Sequence, residues 1–88
     1  MPKLPLKMSV LKTVIELSPA TEQVIFAALE PVYGRDRQFS PRAVEQRLLA
    51  LRAVGLITET FPTDASGELS PAFIPTRAGK IKMSKYIS

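Results

Sequence analysis

One stretch, Phe39 to Leu56 (FSPRAVEQRLLALRAVGL), restricts the fold more than any other, because both ends of a helix are written into it. Ser40 predicts an N-cap, since its hydroxyl can accept an N–H left orphaned in the first turn. Pro41 then takes the first helical position, where its missing N–H costs nothing. Phe39, just outside, is spaced to staple onto Val44. Gly55 stands where a left-handed residue closes a helix, and Leu56 can reach back to Leu51. Val44, Leu48 and Leu51 recur at helical spacing on one face. At about 100° per residue, Arg42, Gln46, Leu49 and Ala53 lie opposite that stripe, with Glu45 and Arg52 beside them. Arginine and glutamine early in a helix are side chains that read base edges in a major groove. An ordinary amphipathic helix with a solvated outer face has the same pattern.

The chain has 88 residues, enough for one modest core, and 45% are hydrophobic, a globular value. No apolar run is long enough to span a membrane. The start, MPKLPLKMSVL, lacks the apolar core and cleavage site of a signal peptide, and a cytoplasmic protein is expected. Cysteine and histidine are both absent. That removes zinc fingers, thiol nucleophiles, disulfide frameworks and a histidine general base. The acids are scattered, and no phosphate-cradling glycine motif occurs. No enzyme activity, metal, cofactor or small-molecule ligand is expected.

The net charge of +4 is distributed in blocks. Residues 1–12 hold three lysines and no acid, and Arg35 to Arg52 hold five arginines against Asp36 and Glu45. Residues 53–76 carry Glu59, Asp64 and Glu68 with no base, whereas the tail from Arg77 onward has four bases and no acid. The positive blocks permit an anionic partner.

Along the chain, residues 1–8 read as an extended arm and 9–88 as a single domain. Ser9 is expected to cap a helix from Val10 to Leu17. Ser18-Pro19 repeats the cap signal for a second helix burying Val24, Ile25, Ala28 and Leu29, with Pro31 near its end. Residues 34–38, GRDRQ, form a charged loop. Leu56–Phe61 alternates and is β-branched, Pro62–Pro71 is dense in turn formers, and Ala72–Ile74 suits a returning strand. Thr76 is expected to cap a last helix, with Ala78, Ile81 and Lys85 on one side and Met83, Tyr86 and Ile87 adding apolar surface. Gly79 weakens that helix by about 1 kcal/mol against alanine.

Three helices, a two-stranded hairpin and a final helix make a mainly α chain that resembles a winged helix-turn-helix domain. Two motifs are similar to those of bacterial MarR- and PadR-like regulators. Leu51-Arg52-Ala53-Val54-Gly55-Leu56-Ile57 fits their L-x-x-x-G-L-I ending of the recognition helix. Phe73-Ile74-Pro75-Thr76-Arg77-Ala78-Gly79-Lys80 fits the strand that runs into T-x-x-G-K. The resemblance covers about residues 9–85. It implies a sequence-specific binder of double-stranded DNA, a transcriptional regulator acting as a homodimer, with residues 40–54 in the major groove. Arg42, Gln46 and Glu45 would then read bases, while Arg35, Arg37, Ser40, Arg52, Lys80 and Lys82 would meet phosphates. Leu49, Ile81, Met83, Tyr86 and Ile87 are candidates for a dimer or partner surface. Leu49, Ala53 and the acidic hairpin favour an alternative, a winged-helix protein-interaction module or small subunit of a larger assembly.

Overall fold

The computed structural model describes residues 4–63 and 65–87. Lys3 of the expected arm, Asp64 of the hairpin and the side chain of Ile87 lie outside the described residues. The element order is α1 (Leu6–Leu17), α2 (Glu22–Tyr33), α3 (Pro41–Ala53), β1 (Ile57–Thr60), β2 (Ala72–Pro75) and α4 (Arg77–Ile87). This is the mainly α, single-hairpin layout that the sequence predicts. No helix among the described residues is long and apolar enough to cross a membrane.

α1 is the helix around which the others pack, touching α2, α3, α4 and β2. Val10, Leu11 and Val14 are wholly buried, and Ser9 and Thr13 are buried beside them. The expected cap at Ser9 is therefore wrong. α1 starts at Leu6, after Pro5, which makes no side-chain cap bond. Ser9 instead lies inside the helix, where its Oγ is 2.6 Å from the Tyr33 hydroxyl. That hydroxyl donates to the Leu4 carbonyl, so the Ser9 O–H is the one left to donate to it. The bond ties the end of α2 to the start of α1, and burial of a hydroxyl made it necessary. Tyr33→Phe, which removes both bonds, is expected to cost about 1–2 kcal/mol in urea unfolding; an unchanged midpoint would show the network to be idle.

Ser18 is not a cap either. Ala20 forms an antiparallel bridge to Phe73, with N–H···O distances of 3.0 and 2.8 Å, and this keeps the chain extended for two residues beyond Ser18. Thr21 caps α2 by accepting the Val24 N–H at 3.2 Å. The later start turns the helix, so that Ile25, Leu29 and Tyr33 are buried at four-residue spacing, while Val24 and Ala28 face outward. Pro31 does not stop the helix. The carbonyl it leaves without an N–H belongs to Ala27, which is exposed to water.

α3 has both predicted ends. Ser40 Oγ accepts the Ala43 N–H at 3.0 Å. Gly55 has φ 80°, and the bonds Gly55 N–H to Arg52 O (3.0 Å) and Leu56 N–H to Leu51 O (2.9 Å) close a Schellman turn. Val44, Leu48 and Leu51 are buried. Phe39 stacks on the Phe26 and Tyr33 rings at centroid distances of 4.7 and 6.1 Å, anchoring the entry to α3 on α2.

β1 and β2 pair antiparallel, Ile57 opposite Pro75 through Thr60 opposite Ala72. Thr76 joins this hairpin to the last helix. Its hydroxyl donates to Gly55 O (2.6 Å) and accepts the Gly79 N–H (3.0 Å), while its own N–H donates to Leu56 O (3.1 Å). α4 then turns Gly79 and Met83 inward. Met83, expected on a partner surface, is a core residue, 4% exposed. Four residues from Gly79, it follows that glycine into the interior. Ile81 and Tyr86 are exposed.

Candidate nucleic-acid interface

The Schellman turn and the Ser40 cap hold α3 with its Val44–Leu48–Leu51 stripe inward, so Arg42, Glu45, Gln46, Leu49 and Ala53 are all exposed, as their spacing predicts. The N-terminal end of this face is the basic one. Residues 34–38 fold around Asp36, whose N–H donates to Tyr33 O (2.8 Å), whose carbonyl accepts the Phe39 N–H (3.1 Å) and whose Oδ1 accepts the Gln38 N–H (3.0 Å). That compact turn leaves Arg35 and Arg37 exposed beside the start of α3, near Arg42 in sequence. Ser40 uses its lone pairs on the cap. Arg47 is half-buried and borders a cleft with Tyr33, Phe39 and Lys7.

Other expected phosphate ligands are placed differently. Arg52 pairs with Glu59 of β1 across the helix–strand junction, so its charge is already met by a carboxylate. Lys80 and Lys82 are exposed on α4, which packs on α1 and β2. The structure thus brings Arg35, Arg37, Arg42 and Gln46 to one end of α3 and sets Arg52, Lys80 and Lys82 apart from them.

At the middle of α3 the character changes. The Ala20–Phe73 bridge draws the start of α2 onto the hairpin, and an open cleft of about 290 Å3 forms between α2, α3 and the two strands. Leu48, Leu49 and Phe73 line it, and Glu22, Glu45 and Glu59 border it. Partial burial and the neighbouring Glu45 carboxylate raise the pKa of Glu22 above its usual value, as two crowded acids require. No local pattern along the chain signals this cleft, since Glu22 and Glu59 are brought together only through the bridge. Beyond it, the hairpin exposes Phe61 and Leu69, 55% and 69% accessible. Among the described residues, no group of three acids is placed to hold a metal ion.

No protein-family model and no curated protein matches the sequence. Among solved structures, the chain is similar to a PadR-like transcriptional regulator from Bacillus cereus, with a TM-score of 0.78 and 15% sequence identity. The match covers 92% of this chain and 76% of that one. At that identity the likeness speaks for the backbone and not for the side chains on it. In fold, this chain is a winged helix.

Proposed function

We propose that the chain is a cytoplasmic transcriptional regulator that binds double-stranded DNA through the N-terminal half of α3. The observation that carries this reading is the end of α3 itself: Arg42 and Gln46 exposed on its outward face, with Arg35 and Arg37 exposed on the turn leading into it. In the major groove, arginine pairs with guanine and glutamine with adenine, and the turn arginines sit where phosphates flank the groove. A winged-helix neighbour that is a transcriptional regulator supports the choice at the level of fold. One α3 offers few base contacts, so specific recognition calls for two copies on neighbouring half-sites.

The hairpin takes no part in phosphate binding in this reading. From residue 53 to 76 the chain has no base, and Arg52 is occupied by Glu59. On a mixed-sequence duplex, where Arg42 has no guanine in register to read, Arg35, Arg37 and Arg42 are the three arginines at this end left to meet phosphates. With about three contacts, the slope of log affinity against log salt is about −2.7, a loss of roughly 40-fold between 50 and 200 mM salt. Fluorescence anisotropy on a mixed-sequence duplex measures this directly. The Arg35→Ala/Arg37→Ala variant is expected to reduce the slope by about two. A folded protein that fails to bind at 50 mM salt would sink the DNA reading. The apolar, acidic hairpin favours a protein-interaction module as the second reading.

A further inference from the structure

The cleft between α2, α3 and the hairpin has chemistry that the DNA reading does not use. Its floor is apolar, from Leu48, Leu49 and Phe73, and its rim is acidic, from Glu22, Glu45 and Glu59. At about 290 Å3 it falls just below the range of roughly 300–1,000 Å3 that encloses small-molecule ligands. It has room for a side chain presented by a docked element. Phosphate is repelled by such a rim, and a cation beside Glu22 would relieve the crowding of two carboxylates.

The chain itself carries an element of complementary chemistry. With Gly79 and Met83 turned inward, the helical repeat of about 100° per residue sets Ile81 at the middle of the outer face of α4. Arg77, four residues earlier, lies about 40° to one side of it, and Lys82 about 100° to the other. Ile81 is 45% exposed, Arg77 and Lys82 are exposed, and from Arg77 onward the chain contains no acid. An isoleucine between two cations on one helix mirrors an apolar floor between carboxylates in one cleft.

We infer that the cleft docks α4 of a second copy of this chain, with Ile81 seated on Leu49 and Phe73 and with Arg77 and Lys82 set against Glu22 and Glu45. A single contact of this size is smaller than a standard interface. Reciprocal docking, α4 of each copy in the cleft of the other, doubles the contact and closes the pair under two-fold symmetry. The dimer so formed is of micromolar strength and weakens with salt, because its cations and acids lie at a solvated rim. It covers Leu49 and Glu45 on α3. This assembly and DNA therefore compete, a consequence that rests on the DNA reading, whereas the docking itself does not.

A charge swap tests the docking in the absence of DNA. Sedimentation equilibrium of the full chain over about 1–300 µM, a range that brackets micromolar association, measures the dimer constant. Glu22→Lys/Glu45→Lys gives a basic cleft facing a basic α4, and Arg77→Glu/Lys82→Glu gives an acidic α4 facing an acidic cleft. Each variant alone is expected to weaken self-association at least about ten-fold. Mixed together, the two variants have complementary charges at both contacts and should recover the wild-type constant to within about three-fold, as a coupled pair does in a double-mutant cycle. Circular dichroism and urea midpoints verify that both variants fold. A wild type that stays monomeric through the range overturns the proposal. So does either folded variant retaining the wild-type constant, or a mixture that fails to recover. A wild type that self-associates as expected yet binds no duplex DNA would overturn the DNA reading and leave the docking standing.

Discussion

Gly79→Ala is expected to destabilise the protein by about 3 kcal/mol, the reverse of what helix propensity alone would give. Glycine inside a helix is worth about 1 kcal/mol less than alanine, so on an exposed helix the substitution would stabilise. Here Gly79 is buried against the turn that follows α3. An added Cβ would overlap the Leu56 carbonyl oxygen, and it would lie 3.0 Å from the carbonyl carbon and 3.4 Å from Leu11 Cδ1. The oxygen cannot give way cheaply. It accepts the Thr76 N–H that joins the hairpin to α4, and Leu56 is itself held by the Schellman bond to Leu51. Either α4 moves off the core, taking Met83 with it, or the α3–β1 junction distorts. Overpacking costs about 1–3 kcal/mol where side chains can shift, and a backbone obstacle belongs at the top of that range. Urea unfolding of Gly79→Ala beside Ala78→Gly, on the exposed neighbouring position, measures both effects. A stabilised Gly79→Ala would mean that α4 does not sit this close to Leu56.

The same glycine shows where sequence reading stops. Its propensity cost is legible from one residue type in one helix, but its steric role depends on a carbonyl 23 positions away. α3 was legible at both ends because a capping serine, an N1 proline and a Schellman glycine act within their own turns. Ser9 and Ser18 offer the same capping hydroxyl, yet neither caps the start of a helix. In each case a distant partner decides: Tyr33 takes the Ser9 hydroxyl into the core, and Phe73 holds Ala20 extended. The inward face of α2 then follows from where the helix starts, which is why Val24 and Ala28 came out on the wrong side.

The candidate interface divides along the same line. Exposure of Arg42, Gln46 and Leu49 follows from helical periodicity, and the blocks of charge are visible in the chain. Pairing of Arg52 with Glu59, seven residues on, requires the turn at Gly55 to bring β1 back alongside α3. The acid-rimmed cleft requires the Ala20–Phe73 bridge as well. Charge counted along the chain gives residues 35–52 a net basic excess; folded, α3 is basic at its start and flanked by acids from its middle onward.

Leu48 and Leu49 put this division to a test with large and opposite readouts. They are adjacent in sequence, identical in chemistry, and 1% and 45% exposed. Leu48→Ala removes three buried carbons and leaves a cavity beneath α3, among Val44, Leu51 and the other side chains of the core. The expected loss is about 3 kcal/mol, within the range of 2–5 kcal/mol for such truncations in packed interiors. Leu49→Ala removes the same atoms from the outer face, and alanine favours a helix slightly, so its urea midpoint should move by less than about 0.5 kcal/mol. Its effect belongs in binding. If α4 of a second copy seats on Leu49, the dimer constant should weaken about ten-fold while stability holds, the loss expected when an apolar anchor of an interface is truncated. Equal destabilisation by the two substitutions would mean that α3 is rotated from the orientation described, and it would remove Arg42 and Gln46 from the outward face on which the DNA reading depends.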